Sequence, residues 1–279
     1  VVDVGIFPRT RRRIYLKTLV VADTLFGRGD AMIPRWGIWN GKNASELKAS
    51  GDQFLQYFID VCGLKPDARV LDVGCGIGRI AVALTHYLTS FGSYEGLDVI
   101  PEAIRWCNRK ITPNYPNFHF RVADVINKSY NARGALRAAE YALPYDDSTF
   151  DFVFLGSVFT HMLPEEVERY LGQVTRVLKE RGWSLITYFL LTPEALDSIR
   201  RGESTIPFTH EGNGFRTVNE KLPESAVAYD ESYIKGLYDK NGLKIVNPIR
   251  CGTWSNYVSD FEYQDFIIAE KGQPVKKRI

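Results

Sequence analysis

Val70-Leu71-Asp72-Val73-Gly74-Cys75-Gly76-Ile77-Gly78-Arg79 reads as a buried strand that runs into a glycine-rich turn and then a helix. Val70, Leu71 and Val73 suit a parallel strand covered on both faces. Glycines at alternate positions let the backbone turn sharply and let a ligand approach it closely. The helix that follows, over residues 80–87, presents its N-terminal amides to the same space. A ligand is therefore expected at this junction.

Spacing and charge narrow the ligand. The pattern is G-x-G-x-G followed by Arg79, not the G-x-G-x-x-G of pyrophosphate binding. Asp72 lies two residues before the first glycine, where a carboxylate repels a pyrophosphate and suits a positively charged ligand. S-adenosylmethionine carries a sulfonium and an ammonium and has no phosphate. Two more acids fall near the ends of the next two predicted strands, Asp98 in Tyr94-Glu95-Gly96-Leu97-Asp98-Val99 and Asp124 in Phe120-Arg121-Val122-Ala123-Asp124-Val125. Carboxylates at the carboxyl edge of adjacent parallel strands line one crevice.

These stretches, with Leu143-Pro144-Tyr145-Asp146-Asp147-Ser148-Thr149-Phe150-Asp151-Phe152-Val153, resemble the ordered motifs of class I S-adenosylmethionine-dependent methyltransferases, most nearly the group acting on small molecules. The resemblance covers roughly residues 64–191 and is specific as a set. It implies an α/β fold, a Rossmann-like doubly wound sheet that is mostly parallel with an antiparallel last strand. It also implies roles: Asp72, Gly74, Gly76 and Gly78 border the methionine part of the cofactor, Asp98 binds the ribose hydroxyls and Asp124 lies near the adenine. Cys75, Val99, Val125, and Gly156 and Ser157 in the loop after the fourth strand, complete the expected cofactor contacts. S-adenosylhomocysteine would be the cofactor product.

The 279 residues, 45% hydrophobic, are ample for a packed core. Residues 1–63 precede the first strand and read as an N-terminal helical appendage or lid. Residues 64–279 read as the methyltransferase domain, with a cap inserted at about 192–230. The formal charge of +2 does not call for nucleic acid as a partner. The basic runs at residues 9–13 and 276–278 fit solvated tails or an anionic partner. Cys62, Cys75, Cys107 and Cys251 form no C-x-x-C pair, which argues for a reducing compartment and against structural zinc. No metal is expected. The apolar run 14–26 is broken by Lys17 and Asp23, so a membrane span is not expected and a cytoplasmic location is the default.

From Arg69 onward strand and helix alternate, as in a parallel sheet with helices on both faces. Residues 150–155 form a nearly all-apolar central strand, and Pro164-Glu165-Glu166 opens an amphipathic helix closed by Gly182. Residues 133–140 suggest a short helix inserted before Leu143-Pro144. Between Thr192 and Asp230, Gly202, Pro207, Gly212, Gly214 and Pro223 mark irregular structure, read as a cap for a specific acceptor. Strands at 244–246 and 264–270 are expected to close the sheet as the family's antiparallel hairpin.

Methyl transfer from a sulfonium is an in-line displacement, so the protein must align the acceptor and exclude water. A hydroxyl acceptor benefits from a base, and His161 is the candidate; a histidine hydrogen-bonded within its loop, or one lining the cofactor pocket without proton transfer, is the alternative. Arg79, at a helix start, needs a partner, either an acidic loop, the substrate or a structural ion pair. Trp39, Tyr188, Trp254 and Tyr257 are the candidate walls of an apolar acceptor pocket, packing being the alternative for each. The main reading is an S-adenosylmethionine-dependent methyltransferase with a small-molecule acceptor, most simply a hydroxyl oxygen. RNA or protein methylation, and a cofactor-binding scaffold without activity, are the alternatives. The glycine spacing and Asp72 oppose a nicotinamide-dependent dehydrogenase.

Overall fold

The computed structural model describes residue 32 and residues 44–128, 130–258 and 263–272. Trp36, Trp39 and both terminal basic runs lie outside the described residues. In chain order the main elements are α1 (Ala44–Asp60), β1 (Arg69–Val73), α2 (Arg79–Leu84), β2 (Ser93–Asp98), α3 (Pro101–Lys110), β3 (Phe118–Val122) and β4 (Phe150–Leu155). They continue with α4 (Pro164–Val177), β5 (Leu178–Tyr188), β6 (Leu190–Leu191), α5 (Pro193–Arg201), β7 (His210–Glu211), β8 (Phe215–Thr217), β9 (Val227–Asp230), α6 (Glu231–Lys240), β10 (Leu243–Ile245) and β11 (Asp265–Lys271).

Seven strands form one sheet in the order β10-β11-β5-β4-β1-β2-β3. β1 and β4, β4 and β5, and β2 and β3 run parallel, while β11 is antiparallel to both β5 and β10. The apolar runs of β1 and β4 are buried because helices cover a parallel sheet on both faces. Contacts group the chain into two compact units, one holding Cys75–Ala123 with the described residues up to Asp67, the other Ala68–Gly74 with the described residues from Asp124.

In the first unit α1 packs on α2. Arg79 Nη1 donates to Ser50 Oγ at 2.7 Å, and its guanidinium lies 5.0 Å from the Phe54 ring centroid. The partner Arg79 finds is thus α1, through a hydroxyl and a ring face. Tyr94 stacks on Phe118 at 5.2 Å between β2 and β3.

In the second unit, α4 ends at Val177 and β5 begins at once, five residues before the break expected at Gly182. The register against β4 jumps from Phe150–Leu178 to Phe152–Trp183, and Arg181 takes a positive φ of 61° in the bulge. Residues 192–230 are more ordered than their glycines and prolines suggest. Thr192 caps α5 by accepting from Ala195 N, and Gly202 ends it in a left-handed conformation. β6, β9, β8 and β7 form a second, four-stranded sheet. Phe189, Leu191, Ala195, Phe208, Ala228 and Trp254 build a separate apolar cluster around these elements. Residues 133–140 hold only a single 3-10 turn, Ala138–Glu140. Among the described residues no helix is long and apolar enough to cross a membrane.

Asp265 joins the two sheets of this unit. Buried at the start of β11, it accepts from Gly252 N, Leu190 N and Trp254 Nε1, each at 2.7 Å. Burial raises its pKa from 3.8 to about 6, against the lowering effect of those three donors. The folded carboxyl keeps its proton to higher pH than the unfolded one, so its contribution to stability is full below about pH 3.8 and is lost as pH rises through about 6. A displacement of that size is worth about 3 kcal/mol. The unfolding free energy of the wild type in urea, measured relative to Asp265→Asn, should fall by about that much between about pH 4 and pH 7; a pH-independent difference would contradict it.

Candidate cofactor and acceptor sites

The first unit brings together Cys75, Gly76, Gly78, Asp98 and Val99. Asp98 ends β2 with only 8% of its surface exposed. Its Oδ2 accepts from Gly76 N at 2.7 Å and its Oδ1 from Ile100 N at 2.8 Å. Burial raises the Asp98 pKa, and backbone donors at Ile100, Gly76 and Val99 oppose the rise. The glycine turn is held from within: Cys75 N donates to Leu97 O at 2.9 Å and Gly78 N to Cys75 O at 3.0 Å. The amides of Cys75, Gly76 and Gly78 therefore all have protein acceptors, so the turn does not offer them as a cradle for phosphate. Gly76 has a positive φ of 53°, and a Cβ built there would meet no atom within 4 Å. Open space lies over the turn where an L side chain would stand.

The second unit supplies the other expected cofactor residues. β1 and β4 end side by side, with Val73 opposite Leu155, so Gly74 and Gly156 leave adjacent strand ends. Asp72 is buried at 1% exposure. Gly74 has φ 83°, and a Cβ there would stand 2.3 Å from Val158 Cγ2. Ser157, at φ 59°, is tied down by polar bonds: its N donates to Thr187 Oγ1 at 2.7 Å and its Oγ to Gln264 Oε1 at 3.0 Å. Asp124 is exposed and accepts from Ala135 N at 3.1 Å. Val125 is buried and bridges to Leu136, so the inserted stretch folds back over the Asp124 backbone.

His161 sits in the 3-10 turn Phe159–His161. Its Nδ1 lies 3.1 Å from Glu224 O. A carbonyl can only accept, so Nδ1 carries the proton and Nε2 is the basic nitrogen. Burial lowers its pKa below the ordinary 6.5, against backbone hydrogen bonds at Glu224 and Ser225. The imidazole is consequently neutral at pH 7. The Tyr130 ring stands edge-on at 6.1 Å. The 3-10 turn Pro223–Ser225, which holds this histidine, is invisible to pattern reading, because Pro223-Glu224-Ser225 carries neither periodicity nor a motif. Thr160 Oγ1, Glu224 Oε2 and Ser225 Oγ are buried without a hydrogen-bond partner among the described residues, while Glu224 Oε1 pairs with Lys128 Nζ at 2.9 Å.

The aromatic walls expected for an acceptor pocket are corrected in two cases. Tyr188 is fully buried in the sheet core, and its hydroxyl meets Tyr238 Oη at 3.0 Å. Trp254 is also fully buried, packed edge-on against Phe189 and Phe208 and bonded to Asp265. Neither ring faces an open crevice; packing claims both. Tyr257 is 51% exposed and lines a small recess with Leu190 and Asp265. Trp39 lies outside the described residues. Among the described residues no cluster of histidine, cysteine or carboxylate side chains is placed to hold a metal ion.

A family model described as a methyltransferase domain matches residues 71–186. The chain is 27% identical over 145 residues to a sterol 24-C-methyltransferase of Schizosaccharomyces pombe, covering 52% of this chain and 33% of that protein. It is 31% identical over 131 residues to the human EEF1A lysine methyltransferase 2, covering 47% of this chain and 51% of that protein. The chain thus spans a third to a half of the length of these curated relatives. Among solved structures, the magnesium protoporphyrin IX methyltransferase of Synechocystis, with bound S-adenosylhomocysteine, matches with a TM-score of 0.53. That match covers 95% of this chain and 100% of the other at 15% identity, which is a likeness of fold.

Gly74→Ala forces a Cβ into Val158 and a side chain into a left-handed backbone. Chemical denaturation should register a loss of about 2–3 kcal/mol; a loss within about 0.5 kcal/mol would mean that the loop after β4 yields freely.

Proposed function

The chain belongs to the class I S-adenosylmethionine-dependent methyltransferase family, and we propose that it methylates a hydroxyl oxygen of a small molecule. The observation that carries this reading is the Asp98 arrangement. The turn amides of Cys75, Gly76 and Gly78 are engaged inside the protein, while a carboxylate is held at the end of β2. A carboxylate has about four lone-pair sites, so beyond its backbone donors Asp98 can still accept a ribose hydroxyl. The open space over Gly76 fits close approach of a nucleoside. By the family likeness, Asp72 and Gly74 serve the methionine end, Asp124 the adenine end, and Gly156 and Ser157 the loop beside them.

When bound, S-adenosylmethionine supplies a methyl group on a sulfonium, already activated for displacement. The protein then has to hold the acceptor, exclude water and take a proton. His161 suits proton removal, because its Nδ1 proton is committed to Glu224 O and Nε2 is left to receive the hydroxyl proton. Burial keeps the ring neutral and ready near pH 7. Glu224 and Ser225 orient it from the backbone.

S-adenosylhomocysteine should raise the melting temperature of the wild-type protein, and Asp98→Ala should weaken its binding by about tenfold or more, a loss of about 1.4 kcal/mol or more. Absence of any response to the nucleoside would reject the function. His161→Gln should retain the nucleoside response and lower kcat by about 100-fold or more; an unchanged kcat would leave His161 as a histidine of the loop only.

A further inference from the structure

The second unit holds a cleft that the cofactor residues do not use. The first turn of α5, residues 247–251 and the start of α6 border an open cleft of about 590 Å³, lined by Thr192, Glu194, Glu231, Asn247 and Cys251. A deeper recess of about 110 Å³ shares Thr192, Glu194 and Cys251 and continues to Ser198, Tyr257 and Asp265. A few hundred cubic ångströms is the scale of small-molecule sites.

Carboxylates outnumber cations around this cleft, and Arg201 is the cation in the lining of its recess. Burial, and then Asp265, Glu231 and Glu194, push the Cys251 thiol up to about 11, so all three carboxylates act on the same spot. The nearby cations are already engaged, Lys235 with Glu231 at 2.5 Å and Arg201 with Glu203 at 3.0 Å. Glu194 has no ion pair among the described residues. Ser198 gives an independent sign of a missing ligand. It lines the recess, is 2% exposed, and its Oγ has no hydrogen-bond partner among the described residues. A buried hydroxyl left unmatched is unfavourable, and a donor entering the recess would relieve it.

We propose that this cleft binds the cationic amine of a small molecule, with Glu194 as its counter-charge and Ser198 Oγ as a hydrogen-bond acceptor. Taking that amine to belong to the methyl acceptor rests on the methyltransferase reading. The connection is short: Asp265, in the recess wall, follows Gln264, whose Oε1 accepts from Thr187 Oγ1 at 2.7 Å and from Ser157 Oγ at 3.0 Å. The recess therefore backs onto the loop after β4.

Cys251 is a built-in reporter, because it is half-buried while Cys62, Cys75 and Cys107 are buried. Its thiolate attacks the sulfenyl sulfur of a methanethiosulfonate, forming a mixed disulfide and releasing methanesulfinate. At about pH 8 the cationic trimethylammonium-ethyl reagent should label Cys251, located by mass spectrometry, about tenfold faster than the anionic sulfonatoethyl reagent, after correction for their rates with a free thiol. Glu194→Gln, at an exposed position, should bring that ratio near one. Benzylamine should slow labelling by the neutral methyl reagent in a saturable way, and benzyl alcohol should not. Equal rates for the two charged reagents on the wild type, or equal protection by the amine and the alcohol, would overturn the proposal. The melting response to S-adenosylhomocysteine is measured alongside. If charge selectivity and amine protection hold without that response, the methyltransferase reading fails and the amine site stands; if the response holds without them, the reverse is true.

Discussion

A carboxylate taken out of water must be matched by donors, and the glycine turn of the first unit is arranged around one such match. Asp98 accepts the amides of Gly76 and Ile100, which pins the glycine turn to the end of β2 and fixes where α3 begins. Each unmatched buried amide would cost about 1–3 kcal/mol, so the turn and the aspartate hold one another in place. The constraint passes on from there. Gly78 ends the turn in a left-handed conformation, α2 starts at Arg79, and Arg79 anchors α1 through Ser50 and Phe54. A single acid thereby sets the path of three helices.

Asp265 has a comparable part in the second unit. Three donors converge on it, one from β6, one from the 3-10 turn Thr253–Ser255 and one from the residue before that turn. The result is a place where the chain leaves the large sheet after Tyr188 and enters the small one at Leu190. That anchor, with the Arg250–Phe266 bridge and Trp254 N donating to Tyr263 O, ties the aromatic cluster of Phe189, Phe208 and Trp254 to β11. The two aspartates differ in consequence. Asp98 is matched by backbone close to a turn that leaves open space, whereas Asp265 is matched by backbone and an indole that close the interior.

The sheet is legible in the sequence because its signals are redundant. Residues 150–155 are apolar at almost every position, glycines and acids punctuate the strand ends, and the last two strands pair antiparallel as the family likeness implies. The pairing of Asp98 with the glycine turn is legible in outline, since both lie at carboxyl ends of strands. The direction of a large side chain is not. Tyr188 and Trp254 have the composition of pocket walls, yet their polar atoms find Tyr238 and Asp265 in the interior, and only three-dimensional packing reveals those partners. The inserted residues hide α5 for a different reason. Thr192 and Gly202 are good caps, but elements of two to nine residues between many glycines and prolines are too short to show a period.

Gln264 and Asp265 are neighbours in the chain, one bonded to the loop after β4 and the other to the start of β6. Alternation along a strand sends consecutive side chains to opposite faces, so the pair works as a hinge pin fastened on both sides. Sequence drift is thereby channelled: Tyr257, Val258 and the exposed face of α5 are free to diverge, whereas Gly252, Trp254, Gln264 and Asp265 are locked together. An engineer would graft new residues onto the former and leave the latter untouched.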